Sequence, residues 1–385
     1  MRSGPILQDL HQNIVARLIT THDIAREAGV SRTTVSYVLS NRPGISVSPK
    51  TRKRVLVTAR KLGYVPNSAA EMLVTGRSRS IGLVLSRPEL ISVDGFIPIM
   101  IYGLNEVCRE RGYRLSMEAV HDPPGADDYL DLAKSKRIDS MIVINPRKGD
   151  SALRKVMESK FPVLVWGSSE RPQESAIATQ ENQASCQVTS HLISLGHQRI
   201  AHVGHASLEY VAVHRRLGGY RAALRAAKLP FDEALFVEGD FTFESGYRAM
   251  KQILASNAHP TALFAGNDTI AFGAMLAIHE AGLSIPEDFA VVGYDDLPIA
   301  AYACPPLTTV RTHAFEQGKL LAEAAIGLMD KERIGSQQDV LPLELIIRES
   351  CGAKVRGQSQ PTLPLPGPRT RSRTSRETHC PIRSR

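Results

Sequence analysis

The 385 residues suffice for two or three domains with their own cores, and 43% apolar with 22% charged residues is ordinary for a globular protein. Charge is unevenly spread: residues 1–80 hold 13 Lys and Arg against 4 Asp and Glu, residues 81–353 hold 26 against 34, and residues 354–385 hold 8 against 1. A basic head and tail around an acidic body exclude a uniformly cationic coat and direct the ends toward a polyanion.

Residues 1–19, MRSGPILQDLHQNIVARLI, form an N-terminal extension whose apolar residues are interrupted by Gln, Asp, His, Asn and Arg, unlike the continuous core of a signal peptide. Three short helices follow. Thr20 or Thr21 caps the first, which carries Ile24, Ala25 and Ala28 and ends at Gly29, a residue suited to a left-handed C-terminal position. Ser31 caps the second, VSRTTVSYVLS, whose Val35, Val38 and Leu39 point inward. Its other face is short hydroxyls, one Arg and one Tyr, where a helix built only for solubility shows Glu and Lys. Ser48-Pro49 opens the third helix, which runs through Val55, Leu56, Ala59 and Leu62 to Gly63. From Ala28 to Ala70 there is no acid, while Arg32, Arg42, Lys50, Arg52, Lys53, Arg54, Arg60 and Lys61 are all present. A surface that meets phosphates explains both facts, because acids there repel the backbone and cations release counterions. The first two helices joined around Gly29 make a helix-turn-helix, so Arg32, Thr33 and Tyr37 are the candidate base readers. Ser31, Thr34 and Ser36 are candidate phosphate or cap partners, and Asn41 completes the DNA-binding set.

The body alternates apolar runs with amphipathic segments. Strands are predicted at 81–85, 114–120, 140–144, 163–166, 199–204, 235–239, 261–265 and 289–294, with helices at 97–112, 151–159, 181–196, 212–227, 244–256 and 269–282. Strands apolar throughout, separated by helices, indicate parallel sheets covered on both faces. Eight strands over this length suit two sheets, and two α/β lobes leave a cleft at the carboxyl ends of their strands.

The stretch DIAREAGVSRTTVSYVLSNRPGISVSPKTRKRVLVTARKLGYVPNSAAEMLVTGRSRSIGLVL resembles the head of the LacI/GalR family of bacterial transcription regulators. GHQRIAHVGH, RRLGGYRAAL, AGNDTIAFGAMLAI, IPEDFAVVGYDD and PPLTTVR resemble landmarks of that family's body in their usual order. The resemblance implies an all-α head over 20–65, a hinge helix over 66–79 that folds on DNA, and a periplasmic-binding-protein-like, two-lobed α/β core over 80–352. It further implies that Leu73, with Ala70 beside it, wedges into the minor groove, a step that unstacks bases and bends the duplex. Homodimerisation through the body would bring two hinges to one pseudo-palindromic operator; whether dimers pair into tetramers stays open. Arg216, Asn267 and Asp295 match positions that bind effector hydroxyls, and Phe96 and Trp166, after strands on the cleft side, would supply an aromatic wall for a sugar ring. The competing readings are a helix cap for Asn267, a turn for Asp295 and a core position for Phe96. Two residues depart from the family pattern: Tyr37 stands where Arg is usual, and Glu71 where a basic or amide residue is common.

The expected function is thus a DNA-binding regulator, a repressor by resemblance, controlled by a sugar-like effector, without cofactor, metal or catalysis, in the cytoplasm. His191, His197, His202 and His205 follow no common zinc spacing, and the five cysteines form no CxxC pair. No apolar run approaches the roughly 18 residues of a membrane span. A solute-binding protein of a transport system shares such a body but calls for a leader and no basic head. An enzyme calls for a nucleophile, phosphate loop or carboxylate pair, none of which the motifs supply. The Pro/Ser/Arg-rich tail, 353–385, is expected to be disordered.

Overall fold

In the computed structural model, residues 19–39, 46–65, 72, 75–85, 87–121, 123–167, 175–177, 180–330 and 341–353 are described. Asn41, Ala70, Glu71, Leu73 and the basic tail from residue 354 lie outside them.

The head is built from α1 (Thr21–Ala28), α2 (Arg32–Leu39) and α3 (Pro49–Lys61). Thr20 and Asp23 close a capping box at the start of α1: Asp23 N donates to Thr20 Oγ1, and Asp23 Oδ2 accepts from Thr20 N. Gly29 then turns the chain at φ +61°, where an L side chain is strained. Thr34 N donates to Ser31 Oγ, and Thr51 N to Ser48 Oγ, so α2 and α3 are each capped by a serine. Ile24, Val35, Val38 and Val55 make the small core of the head.

The first lobe holds β1 (Ser80–Leu85), α4 (Phe96–Glu110), β2 (Arg114–Ala119), α5 (Asp128–Lys134), β3 (Ser140–Ile144), α6 (Ser151–Glu158), β4 (Val163–Trp166) and β5 (Ala176–Ile177). Its sheet is parallel throughout, in the order β2-β1-β3-β4-β5. The second lobe holds α7 (Glu181–Ser194), β6 (Ile200–Gly204), α8 (Val211–Ala226), β7 (Phe236–Glu238), α9 (Phe243–Ala255), β8 (Ala262–Ala265), α10 (Asp268–Glu280) and β9 (Ala290–Val292). Its parallel sheet runs β7-β6-β8-β9. The central strands β1, β3, β4, β6, β8 and β9 are buried along nearly their whole length, which is why they read as unbroken apolar runs.

After β9 the chain forms β10 (Thr309–Arg311), returns to the first lobe as α11 (Ala314–Met329) against α4, and crosses back to pair β11 (Glu344–Ile346) antiparallel with β10. The sequence reading omits α5, α11, β5, β10 and β11. Three helix pairs touch through glycine. A Cβ on Gly103 or Gly318 would strike backbone across α4 and α11, one on Gly219 would stand 2.1 Å from Asn182 O on α7, and Gly246 and Gly273 play the same part between α9 and α10. Among the described residues no helix is long and apolar enough to cross a membrane.

Candidate nucleic-acid interface and effector cleft

On α2, burying Val35 and Val38 turns Arg32, Thr33 and Ser36 to the exterior, with Tyr37 half-buried beside them. Ser31 and Thr34 share a hydroxyl contact of 2.9 Å, so both serve the cap of the helix. The exposed face therefore offers one guanidinium, two hydroxyls and a phenol, with no carboxylate on the helix. That combination suits base edges and phosphates at close range.

The second site lies between the lobes, at the carboxyl ends of both sheets. Arg216 on α8 is 6% exposed. Its Nη1 reaches His205, the first residue after β6, at 3.2 Å and donates to Gly266 O, while the guanidinium stacks 3.7 Å from the Tyr294 ring centre. Its Nε is buried with no hydrogen-bond partner among the described residues. An unsatisfied N–H on a buried cation is costly, and a ligand oxygen is the natural acceptor.

Asp295 follows β9 with φ +126°, and Asp296 follows at φ +56°. Two consecutive non-glycine residues in this region persist only when their surroundings hold them. Asp295 N donates to Val310 O, Arg311 and Arg348 grip the Asp296 carboxylate at 2.7 and 2.6 Å, and buried Asp268 accepts from Leu297 N at 2.7 Å and Thr309 Oγ1 at 2.5 Å. Burial pushes the Asp295 carboxyl well above its ordinary range, with Arg216 opposing and Asp94 and Asp268 reinforcing. Burial likewise raises Asp268 to about 6. Asp94 is 8% exposed, accepts from Phe96 N at 2.9 Å and is raised by burial to about 6, with Arg216 again pulling the other way. The cleft thus faces one guanidinium with two carboxyls whose pKa values burial raises.

Arg216, Asp295 and Asp94 come together. Asn267 lies 3% exposed at the start of α10 and accepts from Ile270 N at 2.8 Å, so its oxygen is used as a cap. Phe96 and Trp166 pack against each other at 5.2 Å inside the core of the first lobe, 5% and 6% exposed, and Trp166 Nε1 donates to Gln317 of α11. They back the cleft from within the lobe. The sequence reading did not name Asp268 or His205 among the candidate effector residues; for His205 the usable signal was its position just after β6.

The lobes are fastened across the mouth. Arg87 pairs with Asp240, Arg147 with Glu209, Lys148 N donates to Glu209 O, and Leu90, Tyr210 and Phe241 form an apolar contact beneath. Arg87, Leu90, Tyr210 and Phe241 line a cavity that opens to solvent, together with Asp94 and Asn145. His191 and His197 point elsewhere, toward Cys351 and Thr261. Among the described residues no group of three His, Cys, Asp or Glu is arranged to hold a metal ion.

Residues 20–67 match the family described as bacterial regulatory proteins, lacI family, and residues 189–351 match a periplasmic binding protein-like domain. The chain is 32% identical over 332 residues to the HTH-type transcriptional repressor PurR of Klebsiella pneumoniae, covering 85% of this chain and 94% of that protein. It resembles the lac repressor dimer bound to operator and the anti-inducer ONPF with a TM-score of 0.76 and 28% identity, over 88% of this chain and all of that one. It also resembles the transcriptional regulator CelR in its cellobiose complex, with a TM-score of 0.65 and 30% identity, over 86% of this chain and 99% of that one.

Proposed function

The chain belongs to the LacI family of bacterial regulatory proteins, DNA-binding transcriptional regulators, and we propose that it is a homodimeric repressor whose operator affinity is set by a sugar-like effector bound between the lobes. The observation that carries this reading is the exposed face of α2, Arg32, Thr33 and Ser36 with Tyr37, within 43 residues free of acid. In this reading Arg32, Thr33 and Tyr37 read bases, while Ser36 and Asn41 hold phosphates and Ser31 and Thr34 fix the helix end. Ala70 and Leu73 wedge the minor groove at the centre of the site, and Tyr37 in place of Arg gives up the bidentate guanine contact.

A hydroxyl-rich, uncharged effector fits the cleft chemistry. Arg216 offers a guanidinium N–H in need of an acceptor, and the Asp94 and Asp295 carboxyls offer acceptors for ligand hydroxyls. The CelR complex, whose ligand is cellobiose, supports the same class. Dimerisation is supported by the exposed Phe243 and Leu276 beside half-buried Phe272 on α9 and α10, and by the operator-bound lac repressor dimer.

The test is fluorescence anisotropy on DNA flanking the protein's own gene, at two salt concentrations, with and without a panel of neutral sugars and sugar phosphates. Tight binding to one fragment, altered by one neutral sugar, is the expected result. Arg216→Met should keep operator binding and weaken the sugar response by about 10- to 100-fold, the worth of one or two hydrogen bonds to a charged donor. Equal, weak binding to every fragment, erased by salt, would overturn the reading.

A further inference from the structure

His205 leaves the end of β6 as a buried side chain, with its Nδ1 3.2 Å from Arg216 Nη1. A guanidinium has donors only and keeps its charge, so the imidazole nitrogen that it faces must accept. That fixes the ring as neutral, with its proton on Nε2. Burial, and then the Arg216 charge, hold the ring in this form by lowering its pKa well below the ordinary value.

The contact uses up one end of the guanidinium. Nη1 carries two protons, of which one goes to His205 and the other to Gly266 O. The Tyr294 ring covers one face at 3.7 Å, and the buried Nε has no partner among the described residues. A free arginine side chain loses much rotamer freedom when a ligand orders it. Here that ordering precedes the ligand, and the Nε–H is left for an effector oxygen.

The backbone that carries His205 is itself clamped. Gly266 N, after β8, donates to Val203 O at 2.7 Å, and Gly239 N, after β7, donates to Gly204 O at 2.8 Å. A Cβ on Gly266 would stand 2.4 Å from His205 N, and one on Gly239 2.4 Å from Gly204 O, so both approaches need glycine. On the other side Phe241 N donates to His205 O, and the Phe241 ring meets the imidazole edge-on at 5.4 Å. Phe241 belongs in turn to the apolar contact that Leu90 makes across the lobes. His205 therefore stands between Arg216 and the contact that closes the cleft.

We propose that His205 is a positioning residue of the effector site, whose Nδ1 acceptor holds the Arg216 guanidinium and leaves its Nε to the ligand. This rests on the proposed function, with Arg216 as the ligand contact. What the site requires at this point is an acceptor rather than an imidazole as such.

The test separates acceptor from bulk in the full-length protein. His205→Asn puts an amide oxygen where Nδ1 stands, and His205→Leu fills similar space with no acceptor. The response is read as the concentration that half-changes operator affinity, over the same panel of neutral sugars. His205→Leu should raise that concentration about tenfold, the worth of one hydrogen bond from a charged donor, and His205→Asn should recover most of the loss. Equal effects of the two variants overturn the proposal. A second measurement needs no effector: the nitrogen NMR spectrum of protein carrying isotope-labelled histidine, at neutral pH. The His205 signals, identified by their absence from either variant, should show a bare Nδ1 and a protonated Nε2. His202, whose Nδ1 donates to Phe264 O at 2.9 Å, supplies the opposite tautomer as a control. A proton on Nδ1 of His205 overturns the proposal, whatever the variants do. If no sugar alters operator binding by wild type, the effector reading fails, and the histidine spectrum still decides how His205 meets Arg216.

Discussion

His202 lies on β6 with no exposed surface, between the rings of Phe264 at 4.6 Å and Tyr220 at 5.2 Å. Its Nδ1–H donates to Phe264 O at 2.9 Å, while Nε2 is buried with no partner among the described residues. Burial lowers its pKa to about 4, with Arg216 adding to the effect, so the folded protein keeps the ring neutral where an unfolded chain protonates it. This stabilisation is complete above the unfolded value near 6.5 and is lost as pH falls toward 4. Its full size is roughly 3 kcal/mol by proton linkage. His205, also lowered by burial, adds with the same sign, whereas Asp94 and Asp268, raised to about 6, lose stability as pH rises between 4 and 6. Comparing two proteins that share those groups isolates His202. Denaturant unfolding of His202→Phe should show a pH 6.5 to 4 decline shallower than wild type by about 3 kcal/mol, and parallel declines would mean that the ring charges without penalty. The carboxyls of the cleft illustrate how little of such chemistry a sequence displays. Asp295 was legible through GYDD, but its raised pKa arises first from burial, reinforced by Asp94 and Asp268 and opposed by Arg216, residues that lie far apart in the sequence and meet only in the fold.

Helix contacts carry the next level of order. In RRLGGYRAAL both glycines sit on α8, yet only one is a contact: a Cβ on Gly219 would stand 2.1 Å from Asn182 O and 2.9 Å from Cys186 N, whereas one on Gly218 meets only the end of the Asn182 side chain. Gly219→Ala should therefore destabilise by about 2–3 kcal/mol as α7 and α8 are forced apart. It should also weaken effector binding, because Arg216 lies one turn away. Gly218→Ala should be neutral or stabilising by up to about 1 kcal/mol, through helix propensity. Equal melting temperatures for the two variants would refute this assignment. The main strands and the three head helices were legible because their apolar periodicity and caps are local. Strands β5, β10 and β11 were not, since two or three residues carry no period. Helix α11 was obscured by its many alanines and glycines, which blur the contrast between its faces. Phe96 and Trp166 show a further limit: a strand end fixes where a residue lies, not which side of the lobe receives its ring.

On the face proposed above for dimerisation, the exposed Phe243 and Leu276, 45% and 53% accessible, lie beside Phe272. Charging that face with Phe243→Asp and Leu276→Asp should leave each chain folded and effector-binding, but monomeric at micromolar concentration by sedimentation velocity, with operator affinity reduced at least tenfold. A dimer that survives both changes would move the interface elsewhere. Across the lobes, the Arg87–Asp240 and Arg147–Glu209 pairs bridge the mouth of the cleft. An effector that enters through this mouth does so once these pairs have parted. At high effector concentration the onset of the response would cease to follow concentration and would wait on the opening rate. These half-exposed ion pairs add little to stability; their consequence is temporal, setting how quickly a cell carrying this protein could answer a sudden meal.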